Sequence, residues 1–298
     1  MIKKILISLA LAAACSLPRA TAGSQTKDPL LFPKDNFTVE NRTIKTSSGE
    51  KKVTYHSYMH ILYVAKPVDK DFQSLNVSVP VKIDDVTIDA KNAPILFSIG
   101  IGGYMSVRNG GTAAPKDGSG PSTGGPGGPG GPGGQPSGMP PRAGGPGGTA
   151  LLSSRPDLAL AAGFVVVTPG CRGRDNKAED GTFYGKAPAA IVDLKAAIRY
   201  IRHNKGILPG NAEEIFSVGC SAGGAVSALL GTSGNSPLYD PYLKEIGAAD
   251  EHDNIFGSVC YSPITDLENA NEAYEWMYGS YPTRSQFALQ QLLYLGSV

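Results

Sequence analysis

Apolar runs and polar intervals alternate along the chain with two different periods, and their order predicts a layered fold. From Lys27 to Lys45 the chain is polar with scattered apolar residues and reads as an irregular or strand-bearing segment. Val53–Tyr58, Ile61–Ala65 and Leu75–Val79 are short β-branched runs suited to strands, and Val86–Asp89 is a weaker one. Pro94–Gly100 holds an unbroken apolar run, the pattern of a strand covered on both faces of a parallel sheet. Thr149–Ala162 has helical spacing, with Gly163 where a C-terminal cap belongs, and Phe164–Thr168 is a second buried-strand pattern. Between Ala187 and Lys205, Ile191, Leu194, Ile198 and Ile201 recur at three- and four-residue spacing, an amphipathic helix ended by Gly206. Ile215–Val218 is a strand, Ala222–Leu230 the helix after it, and Ile255–Tyr261 a further strand. Strands alternating with helices place the chain in the α/β class, with a doubly wound, mostly parallel sheet. No repeat of solenoid length interrupts this order.

Composition changes the picture at one place. Gly 38 and Pro 23 exceed ordinary usage in 298 residues, and the excess is local: Gly110–Gly148 holds 17 Gly and 9 Pro. Its G-G-P triplets are too short and irregular for a collagen helix, so the stretch reads as a solvated loop or linker. The strand pattern resumes beyond it, which predicts one domain over residues 36–298 with an insert at 110–148. A net charge of +1 without a basic block lacks the footprint of a nucleic-acid binder, and 41% apolar residues suffice for a core.

The first residues read as an address. Lys3 and Lys4 form a basic start, Ile5–Cys15 is apolar, and Ala20-Thr-Ala22 precedes Gly23 as an A-x-A cleavage site. An apolar stretch of 11 residues is too short to span a bilayer, so residues 1–22 are expected to be a secretory signal peptide. Lipoprotein processing at Cys15, after Leu11-Ala-Ala-Ala, and a buried N-terminal helix are the rival readings. Export to a periplasmic or extracellular space allows disulfides, yet three cysteines remain: Cys171, Cys220 and Cys260. An odd count means a free thiol or a missing partner.

Chemistry is carried by Gly219-Cys-Ser221-Ala-Gly223, which fits G-x-S-x-G immediately after one predicted strand and at the start of a helix. That is the setting of a nucleophile elbow, where small neighbours let strand and helix approach and leave the serine Oγ exposed. The helix N-terminus supplies positive potential for a developing oxyanion. Acyl transfer needs two aimed N–H donors. One is the amide of Ala222; the other is expected in Gly100-Ile-Gly102-Gly103-Tyr104, at the end of an early strand, with Gly103 ahead of Gly102. The rival dinucleotide fingerprint fails because Met105 stands at the third glycine position.

The partners of such a serine follow it in the order Asp or Glu, then His. His56, His60 and His203 precede Ser221, and His252 lies in a polar turn ahead of a strand. Asp266 is a weak candidate for the acid, with helix initiation before Leu267 as its other reading. No triad histidine is found, and no cysteine shows metal-ligand spacing, so neither metal nor organic cofactor is implied.

The ordered residues resemble bacterial tannases, the tannin acylhydrolases of the α/β-hydrolase fold related to feruloyl-type esterases. The stretches that carry the resemblance include Tyr63–Val68, Leu75-Asn-Val, Val79-Pro80, Ala93–Leu96 and Gly102–Tyr104. It continues through Gly163–Val167, Arg172-Gly-Arg174, Ala187–Tyr200, Leu208-Pro-Gly210, Ser221–Gly224, Ser227-Ala-Leu, Ser233–Ser236 and Ala273–Trp276. The resemblance implies Ser221 as nucleophile, Gly103 and Ala222 at the oxyanion hole, and a small-molecule ester of an aromatic acid as substrate.

Three departures accompany it. The Gly/Pro insert is foreign to the family pattern. In fungal tannases and feruloyl esterases a cysteine placed like Cys220 pairs with one beside the catalytic histidine, which implies a partner beyond Val298; a buried unpaired thiol is the other reading. The family's lid, Asp and His follow the region where this sequence stops, and Phe287–Leu295 looks like the start of that lid. The expectation is an exported serine esterase represented by an incomplete copy, with C-terminal strands and lid missing and low turnover by these 298 residues alone. The alternatives are a serine peptidase of the prolyl-oligopeptidase type and a non-catalytic secreted binding protein on the same scaffold.

Overall fold

The computed structural model describes residues 28–108, 155–264 and 266. The signal peptide, Cys15, the 110–148 insert, residues 149–154 of the first predicted helix, Phe287–Leu295 and the lid lie outside the described residues.

Strands β1 (Thr38–Thr46), β2 (Gly49–Leu62), β3 (Ser74–Ile83) and β4 (Val86–Thr87) come first, then β5 (Ile95–Ser98). Helix α1 (Pro156–Ala161) precedes β6 (Val165–Pro169), α2 (Ala189–His203) precedes β7 (Ile215–Cys220), and α3 (Ala222–Thr232) and α4 (Asp240–Glu245) precede β8 (Gly257–Tyr261). All eight strands form one sheet in the order β1-β2-β3-β6-β5-β7-β8, with β4 on β3.

Only part of this sheet is parallel, which corrects the expectation of a mostly parallel one. β6, β5, β7 and β8 run together, whereas β1-β2, β2-β3, β3-β4 and β3-β6 are antiparallel pairs. The reason lies in the connections. Ser47-Ser48 and Asp84-Asp85 join their strands by two residues, enough for a hairpin and far too few for a parallel crossover. Asp84 takes the left-handed conformation such a turn demands, φ 52°.

Alternate residues of the central strands face two cores, so helices cover both sides as the doubly wound reading requires. Ile95, Phe97, Val165 and Val167 join the buried residues of α2 and α3, while Val166 packs with Leu160 and Ala161 of α1. Gly163, at φ 92°, ends α1 in the left-handed cap that a side chain would strain. The four isoleucine and leucine positions read from α2 are all buried. Its opposite flank is buried too: Asp193 and Lys195 are 0% exposed. α4, which the sequence pattern did not signal, buries only Leu243.

The far end of α2 is tied to the chain leading into β7. Glu213 accepts from Arg202 at 2.6 Å and Lys205 at 2.9 Å, and these two bonds pull its carboxyl from 4.5 down to about 2. A folded value below the unfolded one stabilises the protein above pH 4.5 and is lost as pH falls toward 2. The side chain is half exposed, so solvent screening reduces the effect to about 1 kcal/mol. Glu213→Gln is therefore expected to lower the urea midpoint at pH 7 modestly and to match wild type near pH 2. Equal midpoints at pH 7 would contradict the assignment.

Candidate active site

β5, β6, β7 and β8 point the same way, so the loops that follow them share one end of the sheet. At that end the chain leaves β7 and enters α3 in a single residue. Ser221 stands there at φ 57°, ψ −122°, a backbone state that costs a non-glycine residue about 1–3 kcal/mol. It is held by its surroundings. The Ser221 amide donates to Tyr261 O at 2.9 Å, and the Ala225 amide donates back to Ser221 O at 3.0 Å.

The small residues around it are sterically required. A Cβ on Gly219 would lie 2.2 Å from Gly223 O, one on Gly223 2.9 Å from Ile101 O, and one on Gly224 2.6 Å from Tyr261 O. All three obstacles are backbone, which cannot swing aside. Gly219→Ala is thus expected to cost about 3 kcal/mol, at the upper end of overpacking penalties. Thermal unfolding will show a lowered midpoint, and a midpoint unchanged within a degree would mean that the turn opens freely. Farther along α3, Ser227 Oγ meets Ser217 Oγ at 2.7 Å, so a buried hydroxyl pair locks the helix onto β7.

Ser221 is exposed and begins an eleven-residue helix, so the first amides of α3 face the same end of the sheet with no intrahelical acceptor. Ala222, the first helical residue, is buried. The loop after β5 is brought against this turn: the Gly223 amide donates to Ile101 O at 3.1 Å, and Ile99 follows the last rung of β5 to Val218. Gly102 and Gly103 come next, and the Met105 amide closes a turn onto Gly102 O at 3.0 Å. Gly103 has φ 56°, a conformation glycine takes without strain. The structure thereby brings the Ser221–Ala222 turn and the loop that carries Gly102 and Gly103 together from two separate stretches of sequence.

The remaining candidates lie elsewhere or stay open. Asp266 is exposed and follows β8, which ends beside Ser221. His252 is exposed and bonded to Asn254 at the start of β8, the opposite end of the sheet. His203 ends α2 with Nε2 2.7 Å from Asp28, and the Leu30 amide, followed by that bond, lowers the Asp28 carboxyl. His56 stacks on Phe37 at 3.9 Å. It and His60 sit on β2, four strand spacings from β7, or about 19 Å.

Cys171 is buried, and desolvation, reinforced by Asp193, pushes its thiol far up. Cys220 and Cys260 are half-buried and free. Their register sets Gly219 opposite Cys260 and Cys220 opposite Tyr261, so the two thiols face opposite sides of the sheet. Among the described residues no cluster of His, Cys, Asp and Glu has metal-binding geometry, and no helix is long and apolar enough to cross a membrane.

Comparison with known proteins agrees with this fold. The family described as BD-FAE matches residues 158–291. A tannase from Fusobacterium nucleatum is 39% identical with a TM-score of 0.64, over 84% of this chain and 46% of that one. A tannin acyl hydrolase solved with ethyl gallate is 34% identical with a TM-score of 0.60, over 83% of this chain and 47% of its own. Esterase LipC of Mycobacterium tuberculosis is 35% identical over 100 residues, 34% of this chain and 22% of that protein. The chain therefore spans about half the length of the tannases and about a fifth of the esterase.

A mixed sheet covered on both faces, with a strand–serine–helix turn at its parallel end, defines the α/β-hydrolase fold. Within that class the chain is tannase- and esterase-like.

Proposed function

We propose that the chain carries the nucleophile of an exported serine esterase acting on esters of aromatic acids. The observation that carries the reading is the strained Ser221 turn, exposed at the mouth of α3 with the Gly102–Gly103 loop hydrogen-bonded beside it. A non-glycine residue at φ 57° between a strand and a helix is kept only where the surrounding structure enforces it. In this reading Ser221 Oγ attacks the ester carbonyl, and the amides of Ala222 and Gly103 hold the developing oxyanion. Expulsion of the alcohol leaves an acyl-enzyme that water then hydrolyses. No described residue is assigned the proton transfer from Ser221.

The choice of aromatic acyl esters is supported by relatives solved with ethyl gallate and 3,4-dihydroxybenzoate. Export is supported by the basic start, apolar stretch and Ala20-Thr-Ala22 of the N-terminus. N-terminal sequencing of the secreted protein tests it, with Gly23 as the expected first residue.

The enzymatic reading is tested with a fluorophosphonate and a panel of gallate, ferulate and proline-amide substrates. In protein that supplies the base the expected result is one label per chain, on Ser221, and release from the aromatic esters alone, with slow release by these 298 residues. Cleavage of the proline amide would move the assignment to a peptidase, and no label with no release would reject a catalytic serine.

A further inference from the structure

The turn that carries Gly102 and Gly103 is clamped from a second loop. Ser106 donates its amide to Asp175 Oδ1 at 2.6 Å and its hydroxyl to Oδ2 at 2.7 Å. The Arg174 amide donates to Tyr104 O at 2.9 Å, and Val107 and Cys171 exchange amide bonds of 2.9 and 3.0 Å. The two loops touch so closely that a Cβ on Gly173 would stand 2.1 Å from Ser106 N.

The second loop is itself anchored in the core. Asp193, on α2, accepts the Arg172 amide at 2.8 Å, the Arg172 guanidinium at 2.8–3.2 Å and Gln73 Nε2 at 2.8 Å. Burial nevertheless leaves that carboxyl above its ordinary value, since those bonds only partly offset desolvation. Asp175 is different: it is exposed, so its carboxylate fills no place in the buried core.

Its two bonds bear on a strained segment. Gly103 and Tyr104 are consecutive residues in the left-handed region, φ 56° and 57°. Tyrosine disfavours that state, so an unclamped turn relaxes away from it.

We infer that Asp175 is a positioning residue for the proposed acyl transfer, fixing through Ser106 the turn whose Gly103 amide faces the oxyanion. The inference rests on the esterase reading. A donor displaced by as little as about 1 Å costs up to roughly 100-fold in rate, and loss of one oxyanion donor roughly 100- to 1,000-fold. Partial loosening is accordingly expected to cost about 10-fold.

The test uses the full chain, Asp175→Ala and Asp175→Asn. The rate and final stoichiometry of fluorophosphonate capture at Ser221 are measured, together with amide hydrogen exchange over residues 101–107. Asp175→Ala is expected to reach full stoichiometry about 10-fold more slowly and to exchange faster in that segment alone. Asp175→Asn keeps an acceptor for the Ser106 amide and recovers most of the rate. Wild-type capture rates in Asp175→Ala, or unchanged exchange across 101–107, would overturn the inference while leaving the esterase reading standing. A wild-type protein that is never labelled at Ser221 would overturn both.

Discussion

Ser221→Ala will keep the fold and lose covalent capture at this position. Alanine retains the Cβ and the amide that donates to Tyr261 O, so the turn is neither relaxed nor further strained. Ser221 is exposed, so the lost hydroxyl leaves no buried partner unsatisfied. Unfolding free energy is expected to stay within about 0.5 kcal/mol of wild type, as for surface changes generally. The chemistry behaves oppositely. With its base in place, removing the attacking oxygen lowers the rate of acyl transfer by at least roughly 10,000-fold, or about 5 kcal/mol of transition-state stabilisation. Phosphonate capture and release from a gallate ester, measured beside a denaturation curve, separate the two effects. Capture within tenfold of wild type would mean that the nucleophile is another residue.

The fold was legible wherever the signal was local. The isoleucines of α2 sit at helical spacing, Gly163 and Gly206 mark helix ends, and the apolar runs of β5 and β6 need cover on both faces. The elbow was legible for the same reason, because its steric demand falls on five consecutive residues, Gly219 to Gly223.

Strand direction was less readable. Whether β3 meets β6 parallel or antiparallel depends on the connections and not on the composition of either strand. α4 was missed because a six-residue helix with one buried side chain has no period to detect.

At the site the unread part was the clamp. Ser106 and Asp175 are 69 positions apart, and neither residue type signals a partner. Asp253 was hidden in a similar way. It lies in Ala249-Asp-Glu-His-Asp-Asn254, which reads as a solvated turn, yet it is 1% exposed. Only the cations brought to it from α2 make that burial tolerable.

Those cations make Asp253 the position where substitution will cost most stability. Lys195 Nζ, 0% exposed, meets Asp253 Oδ1 at 2.7 Å and Ser233 O at 2.6 Å, and Arg199 Nε meets Oδ2 at 2.8 Å. Asp253 and Asn235 also exchange amide-to-side-chain bonds of 2.9 Å each way. Asp253→Ala strands a buried ammonium, a change that typically costs about 3–5 kcal/mol. That is roughly a fifth or more of the stability of an ordinary domain.

Breaking the pair differs from replacing it. In Lys195→Met/Asp253→Leu no uncompensated lysine remains, so the double variant is expected to be more stable than Asp253→Ala, although Arg199 then keeps only its longer ion pair with Asp240, at 3.6 Å. The pH dependence carries a definite sign. Burial would raise the Asp253 carboxyl, but the bonds from Lys195, the Asn235 amide and Arg199 outweigh it and hold the group below its ordinary 3.8. The stabilisation is therefore complete above about pH 4 and fades as pH falls through the lower folded value. Urea unfolding of wild type and Asp253→Ala at a series of pH values should show a gap that is widest near neutrality and narrows in acid. A gap under about 1 kcal/mol at pH 7, or one that does not shrink below pH 4, would mean that the triad is not what holds α2 to the chain before β8.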